Sequence, residues 1–252
     1  MKYDVFIPVR LVSTRLPNKA LKEINGKPVI KYLIERIQSA IKIQDIVVCT
    51  TTHESDDKLV GFLEKEGIKI FRGSEKDILS RFLNAAKQFG TDFIIAVDGD
   101  DIYSDPEYVD KIITEFERTN ADCIQILGIP VGFTSIGIKK TALEKICELK
   151  KTDNTETGYG RFFTETNLFD VKNLDPKLRA KFPKNLRLSL DYEEDFDLAN
   201  EIFKKLGNDF HIEDVLKLLE EKPELLKMIN NSEERWNEHW NKNLADLSTR
   251  DM

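Results

Sequence analysis

A chain of 252 residues with a formal net charge of −7, a pI near 5.2 and 40% hydrophobic residues can bury the core of one large α/β domain. The acidic balance excludes a general nucleic-acid binder, whose phosphate contacts need a basic face. No apolar run approaches the roughly 18 residues of a membrane span. Cys49, Cys123 and Cys147 are too few and too scattered for a disulfide framework or a zinc site. The opening run MKYDVFIPVR enters a strand pattern with no apolar signal segment, so the expectation is a soluble, cytoplasmic protein.

Short apolar runs alternate with helical periodicity. Strands are predicted at residues 5–9, 46–50, 68–71 and 93–97, with helices at 29–40, 55–66 and 76–89 between them. In the last of these helices Ile78, Phe82 and Ala85 share a face. Pro106, after Asp105, suits the first turn of a further helix running to about residue 118. This β-α-β order predicts a doubly wound, mostly parallel sheet, which binds ligands beyond the carboxyl ends of its strands. The regularity breaks near residue 120. Strands are expected at 121–127 and 133–138, a helix at 141–150, and a polar loop or lid with Gly158 and Gly160 at 151–161. A strand at 186–190 returns to the core, a helix follows at 193–206, and 210–247 is mostly helical. Trp236 and Trp240, four residues apart, share a helix face that suits packing on the body or on a partner subunit.

Two segments carry chemistry. Arg10-Leu11-Val12-Ser13-Thr14-Arg15-Leu16-Pro17-Asn18-Lys19 follows the first strand and gathers three cations and two hydroxyls, donors of the kind a triphosphate needs. It is not a P-loop, because the glycines and the GK[ST] ending are missing; a solvated basic loop fits the same residues. Asp98-Gly99-Asp100-Asp101 follows the strand at 93–97, and carboxylates at a strand end suit Mg²⁺ held together with phosphates, or a plain turn. Asp191, ending the run at 186–190, could complete a metal site with Asp100 or cap the next helix.

The run IPVRLVSTRLPNKALKEINGKPVIKYLIERI resembles the start of the CMP-Kdo synthetase and SpsF-like cytidylyltransferase families, with their R-x-x-S-T-R-L-P-x-K loop. FRGSEKDILSRFLNAAKQFG, VDGDDIYSDPEYVDKII and LRLSLDYEEDFDLANEIFKKLG are similar to the SpsF-like branch. The resemblance covers about residues 3–118 and 185–225. It implies a Rossmann-like, GT-A-like nucleotidyltransferase domain at 1–225, with 120–184 building the acceptor pocket and a possible dimer contact, and a helical extension at 226–252. It further implies that Arg10 and Lys19 hold the CTP phosphates while Ser13, Thr14 and Arg15 shape the loop. Arg72 and Ser74 then line the nucleotide side with Asp98 and Gly99, and Asp100 and Asp191 bind Mg²⁺. Asn18 stands where the family commonly has glycine, and asparagine tolerates left-handed backbone. Asp98 and Asp101 also depart from the residues expected around the Gly-Asp pair.

The implied reaction is transfer of CMP from CTP to a small acidic acceptor, either a sugar acid or a phosphate or phosphonate, with release of pyrophosphate by a homodimer. Arg161 and Lys151, beside the glycine loop, are candidates for recognising the acceptor's charge. His53, His211 and His239 show no metal or triad spacing. Two alternatives stay open. One is a glycosyltransferase whose Asp98 and Asp100 form a D-x-D metal site on a nucleoside diphosphate sugar. The other is a non-catalytic nucleotide-binding domain.

Overall fold

The computed structural model describes residues 1–133, 135–183, 186–229 and 232–250. Thr134, inside the strand expected at 133–138, and Asn185, at the edge of the second stretch of resemblance, lie outside the described residues.

Nine strands and nine α-helices follow one another as β1 (Tyr3–Pro8), β2 (Glu23–Ile24), β3 (Lys27–Pro28), α1 (Val29–Ile37), β4 (Asp45–Thr51), α2 (Asp57–Lys65), β5 (Lys69–Gly73), α3 (Ile78–Phe89), β6 (Phe93–Ala96), α4 (Pro106–Thr119), β7 (Cys123–Ile126), β8 (Ile136–Lys139), α5 (Lys140–Leu149), α6 (Arg161–Thr164), β9 (Val171–Leu174), α7 (Glu193–Leu206), α8 (Ile212–Glu221) and α9 (Ser232–Asn243) among the described residues. Seven strands form one sheet in the order β5-β4-β1-β6-β8-β7-β9, while β2 and β3 make a separate small hairpin. Within the sheet only β8 runs against its neighbours, pairing antiparallel with both β6 and β7. The doubly wound, mostly parallel expectation therefore holds.

Strand alternation divides the core into two layers. Val5, Ile7, Val48 and Ile95 face α1, α2, α4, α7 and α8, while Phe6, Val47, Cys49, Ile94 and Ala96 face α3, α5 and α6. Each fully buried side chain of this size contributes roughly 1.5–3 kcal/mol. At α3 and α4 a polar side chain satisfies a first-turn N–H group. Asp77 accepts from Ser80 N at the start of α3, and Asp105 accepts from Glu107 N at the start of α4, with Pro106 in the first turn. α4 ends at Asn120 in left-handed geometry, φ 52°.

One expectation needs correction, and one strand was missed. Residues 186–190 are not a strand, although Leu186, Leu188 and Leu190 alternate into the core as the pattern demands. Their polar backbone groups find loops rather than a ladder: Leu188 N donates to Val131 O at 2.7 Å, Leu190 N donates to Asp100 O at 2.9 Å, and Val131–Arg187 is an isolated bridge. The approach to the first loop is close enough that a Cβ on Gly132 would lie 2.5 Å from the Leu188 carbonyl carbon. The strand β9 escaped the sequence reading because its residues are half-buried or exposed at the sheet edge, where alternation fades. The expectation that 210–247 is mostly helical holds, as α8, a short 3₁₀ turn at Leu226–Ile229, and α9.

Candidate active site

Four carboxyl ends, of β5, β4, β1 and β6, form one rim of the sheet, and the charged segments of the sequence collect there. Asp56 locks the first loop onto this rim. Fully buried, it accepts from Leu11 N at 2.7 Å, Thr50 Oγ1 at 3.0 Å and Thr51 Oγ1 at 2.5 Å, which welds the loop after β1 to the end of β4. The loop then turns on itself, with Leu16 N donating to Ser13 Oγ at 3.2 Å, and reverses at Asn18 in left-handed geometry, φ 56°. Asparagine supplies there the conformation that the usual glycine gives. The reversal sends Lys19 back over the sheet.

Lys19 is the centre of the site. Its Nζ donates to Asp100 Oδ2 at 2.5 Å, Asp191 Oδ1 at 3.1 Å and Leu190 O at 2.9 Å. The two carboxylates converge because Leu190 N binds the carbonyl of Asp100, so backbone sets their spacing. Arg15 adds a second cation, its Nη2 donating to Asp191 Oδ1 at 2.7 Å. Burial works against the Lys19 ammonium, but Asp100 and Asp191 outweigh it and hold its pKa above the ordinary lysine value. Burial likewise opposes the charge on Asp191, and Lys19, Arg15 and Arg187 reverse that and keep it below the usual carboxylate range.

Asp98 is different. Burial, with the nearby charge of Asp100, pushes its carboxyl up to about 7, while a 2.8 Å hydrogen bond donated by Tyr159 pulls the other way. Tyr159 brings the 151–161 loop onto the same rim, and its own phenol is pushed well up by burial and by Asp98. Between the two aspartates, Gly99 is required by close approach: a Cβ there would stand 2.8 Å from Val9 Cβ and 3.0 Å from Pro8 O.

The remaining expected residues lie around this centre rather than in it. Arg10, 41% exposed, reaches Glu156 Oε2 at 3.3 Å and Glu75 O at 3.4 Å. Thr14 is exposed on the loop. Ser74 accepts from Asp77 N at 3.1 Å within its own turn. Arg72 braces the end of β4, donating to Thr51 O and His53 O, both at 2.9 Å, and pairs with Asp57. Arg161 turns to Glu165, just past the end of its own helix, at 2.8–2.9 Å, and Lys151 is exposed. Both sit apart from the carboxylate centre in their contacts.

Several site residues went unnoticed in the sequence. Arg81, 1% exposed, donates to Ser74 O at 3.0 Å and Cys49 O at 3.2 Å and pairs with Glu156, which in turn meets Arg10. The signal for Arg81 was present: an arginine between Ile78, Phe82 and Ala85 sits on the apolar face of α3. Asp56 and Tyr159 gave none, since each depends on a partner about 45 or 61 residues away. The three cysteines are free; burial pushes Cys123 and Cys147 up to about 12, which suits inert core thiols.

A doubly wound sheet with cations and paired carboxylates gathered on its carboxyl rim is the arrangement of a nucleotidyltransferase. Residues 5–181 match the family model described as "Cytidylyltransferase". The spore coat polysaccharide biosynthesis protein SpsF of Bacillus subtilis is 28% identical over 226 residues, covering 86% of this chain and 94% of that one. A 3-deoxy-manno-octulosonate cytidylyltransferase of Hydrogenovibrio crunogenus is 34% identical over 127 residues, 48% of this chain and 50% of its own. Among solved structures, a cytidylyltransferase from Leptospira borgpetersenii superposes with a TM-score of 0.81 at 23% identity, over 89% of this chain and 96% of that one. The chain belongs to the cytidylyltransferase family. That membership removes the glycosyltransferase and non-catalytic alternatives. No helix among the described residues is long and apolar enough to cross a membrane.

Proposed function

We propose that the protein transfers CMP from CTP to a small anionic acceptor and releases pyrophosphate. The observation that carries this reading is the convergence of Lys19, Asp100 and Asp191 within 2.5–3.1 Å, beside the Arg10–Lys19 loop. The donor set also fits a divalent ion. Two hard carboxylate oxygens already share one positive charge, the ammonium of Lys19, and oxygen donors at a phosphate site suit Mg²⁺. Bound there through Asp100 and Asp191, Mg²⁺ would neutralise phosphate charge and polarise the α-phosphorus.

The chain's own residues do the rest. Arg10, exposed at the rim, offers a fork that binds two phosphate oxygens at once. With Asp100 and Asp191 holding a divalent ion, the Lys19 ammonium would be free to donate to triphosphate oxygens. Acceptor oxygen forms its bond to the α-phosphorus while the bond to the β-phosphate oxygen breaks, and Arg10 and Lys19 receive the charge on the departing pyrophosphate. A phosphate, phosphonate or carboxylate acceptor arrives ionised. A sugar hydroxyl must lose a proton, and Asp98, held near 7 beside Asp100, is placed to take it.

The test is pyrophosphate release with Mg²⁺ and each of four ribonucleoside triphosphates against a panel of acidic sugars and phosphonates. Release with CTP alone, lost in Asp100→Asn by about 100-fold or more as expected for a transition-state electrostatic contact, is the expected result. Equal release with all four triphosphates would overturn the nucleotide assignment.

A further inference from the structure

Asp191 is held from behind as well as in front. Its Oδ1 faces Arg15 at 2.7 Å and Lys19 at 3.1 Å, whereas its Oδ2 accepts from Ser189 Oγ at 3.3 Å and Arg187 Nη1 at 3.4 Å. Arg187, 4% exposed, is itself fixed on several sides. Nη1 donates to Ser189 O at 2.6 Å, and Nη2 donates to the two oxygens of Asp195 at 2.8 and 2.9 Å and to Ser232 Oγ at 2.9 Å. Asp195 closes the circuit by accepting from the backbone N–H of Asp191 at 2.9 Å and of Tyr192 at 2.8 Å. Ser232 is the first residue of α9 and is anchored in turn, donating to Ile229 O at 2.9 Å. Trp236, one turn further along α9, lies 6.0 Å from the same guanidinium, and Arg235 pairs with Glu194.

A guanidinium this deeply buried is costly to desolvate unless its fork is filled, and its planar geometry dictates where each acceptor lies. Here the fork grips one oxygen of Asp191 and leaves the other pointing at Lys19. We infer that Arg187 is the positioning residue for Asp191, turning it into a one-oxygen ligand, and that Ser232 of α9 is the outer clamp of that arrangement. The C-terminal helix is thereby connected to the catalytic rim through a buried side chain. The inference rests on the proposed role of Asp191 as a metal ligand. Groups that orient a ligand from outside typically change metal affinity by about 10- to 100-fold when removed.

Mn²⁺ is the probe, its free concentration followed by electron paramagnetic resonance during titration of folded protein with CTP present and acceptor omitted. Arg187→Lys keeps the charge and loses the fork, so Mn²⁺ binding is expected to weaken about 10-fold or more. Ser232→Ala removes one neutral acceptor and is expected to weaken it roughly two- to tenfold. CTP affinity measured without metal stays at the wild-type value in both. Asp191→Asn is the reference and should lose the site. Full Mn²⁺ affinity in folded Arg187→Lys and Ser232→Ala, with Asp191→Asn defective, overturns the positioning role and leaves the ligand assignment standing. Wild-type affinity in Asp191→Asn overturns the ligand assignment, and the positioning role with it. If Arg187→Lys does not fold, Ser232→Ala and Ser189→Ala decide by the same measurement.

Discussion

Replacing Lys19 by methionine keeps the side-chain length and deletes the cation at the centre of the rim. The ammonium is 13% exposed and bridges Asp100 at 2.5 Å and Asp191 at 3.1 Å. Losing one partner of a buried ion pair generally costs about 3–5 kcal/mol. The two carboxylates share that loss unequally. Asp191 keeps Arg15 at 2.7 Å and Arg187 at 3.4 Å, and Asp100, 26% exposed, recovers some hydration. The net destabilisation is then about 2–3 kcal/mol, and at roughly 2–4 °C per kcal/mol for a chain of this size the melting temperature falls by about 4–12 °C. The same deletion leaves two unneutralised carboxylates facing one space, so a divalent ion should replace what was lost. Metal at one hundred times its dissociation constant restores about 2.7 kcal/mol. Thermal melts of both proteins across an MgCl₂ series, with NaCl at matched ionic strength, measure this directly. The mutant should begin lower and climb further with Mg²⁺ than the wild type, whose metal must compete with its own ammonium. A mutant that melts with the wild type in the absence of metal, or ignores Mg²⁺, would refute the convergence of the two carboxylates. With the proposed role of Lys19 at the phosphates, turnover is expected to stay low even where stability returns.

Two other positions give independent checks. A Cβ on Gly99 meets Val9 Cβ at 2.8 Å and the Pro8 carbonyl at 3.0 Å, so Gly99→Ala should destabilise by about 1–3 kcal/mol in urea unfolding and displace Asp98 and Asp100, lowering turnover; a neutral substitution would show that the strand ends part freely. His211 donates to Asp105 at 3.1 Å, and that hydrogen bond raises its pKa above the ordinary 6.5. A raised folded value means its contribution is fully present below about 6.5 and fades as pH rises through the folded pKa. The urea midpoint of wild type should therefore exceed that of His211→Gln at pH 5.5, with the gap closing by pH 8.5; a constant gap would mean that no proton is involved.

The parts of the fold that sequence made legible are those ruled by local periodicity. The first four sheet strands and α1 to α5 follow from apolar spacing and, at α4, from Pro106 after Asp105. The run at 186–190 misleads because alternating leucines announce two faces without saying whether the backbone finds a strand or loops. In the site, motif residues were readable because the loops that follow β1 and β6 deliver them: Lys19 closes the loop after β1, and Asp100 comes shortly after β6. Positioning residues were not. Arg187, Asp56 and Tyr159 act through partners brought near by packing, and a buried arginine in LRLSLD reads as an exposed strand position until Asp195 and Ser232 are seen around it.

The bond between Lys19 and its two carboxylates spans 81 and 172 residues of chain. Closing loops of that length is entropically late work, so the rim cannot exist in a nascent or half-folded molecule. One ammonium and two carboxylates wait apart until packing unites them. The proposed affinity for a nucleotide–metal pair is therefore a property of the finished protein alone. Ligand should deepen the native well without speeding the route into it, slowing unfolding while refolding keeps its pace.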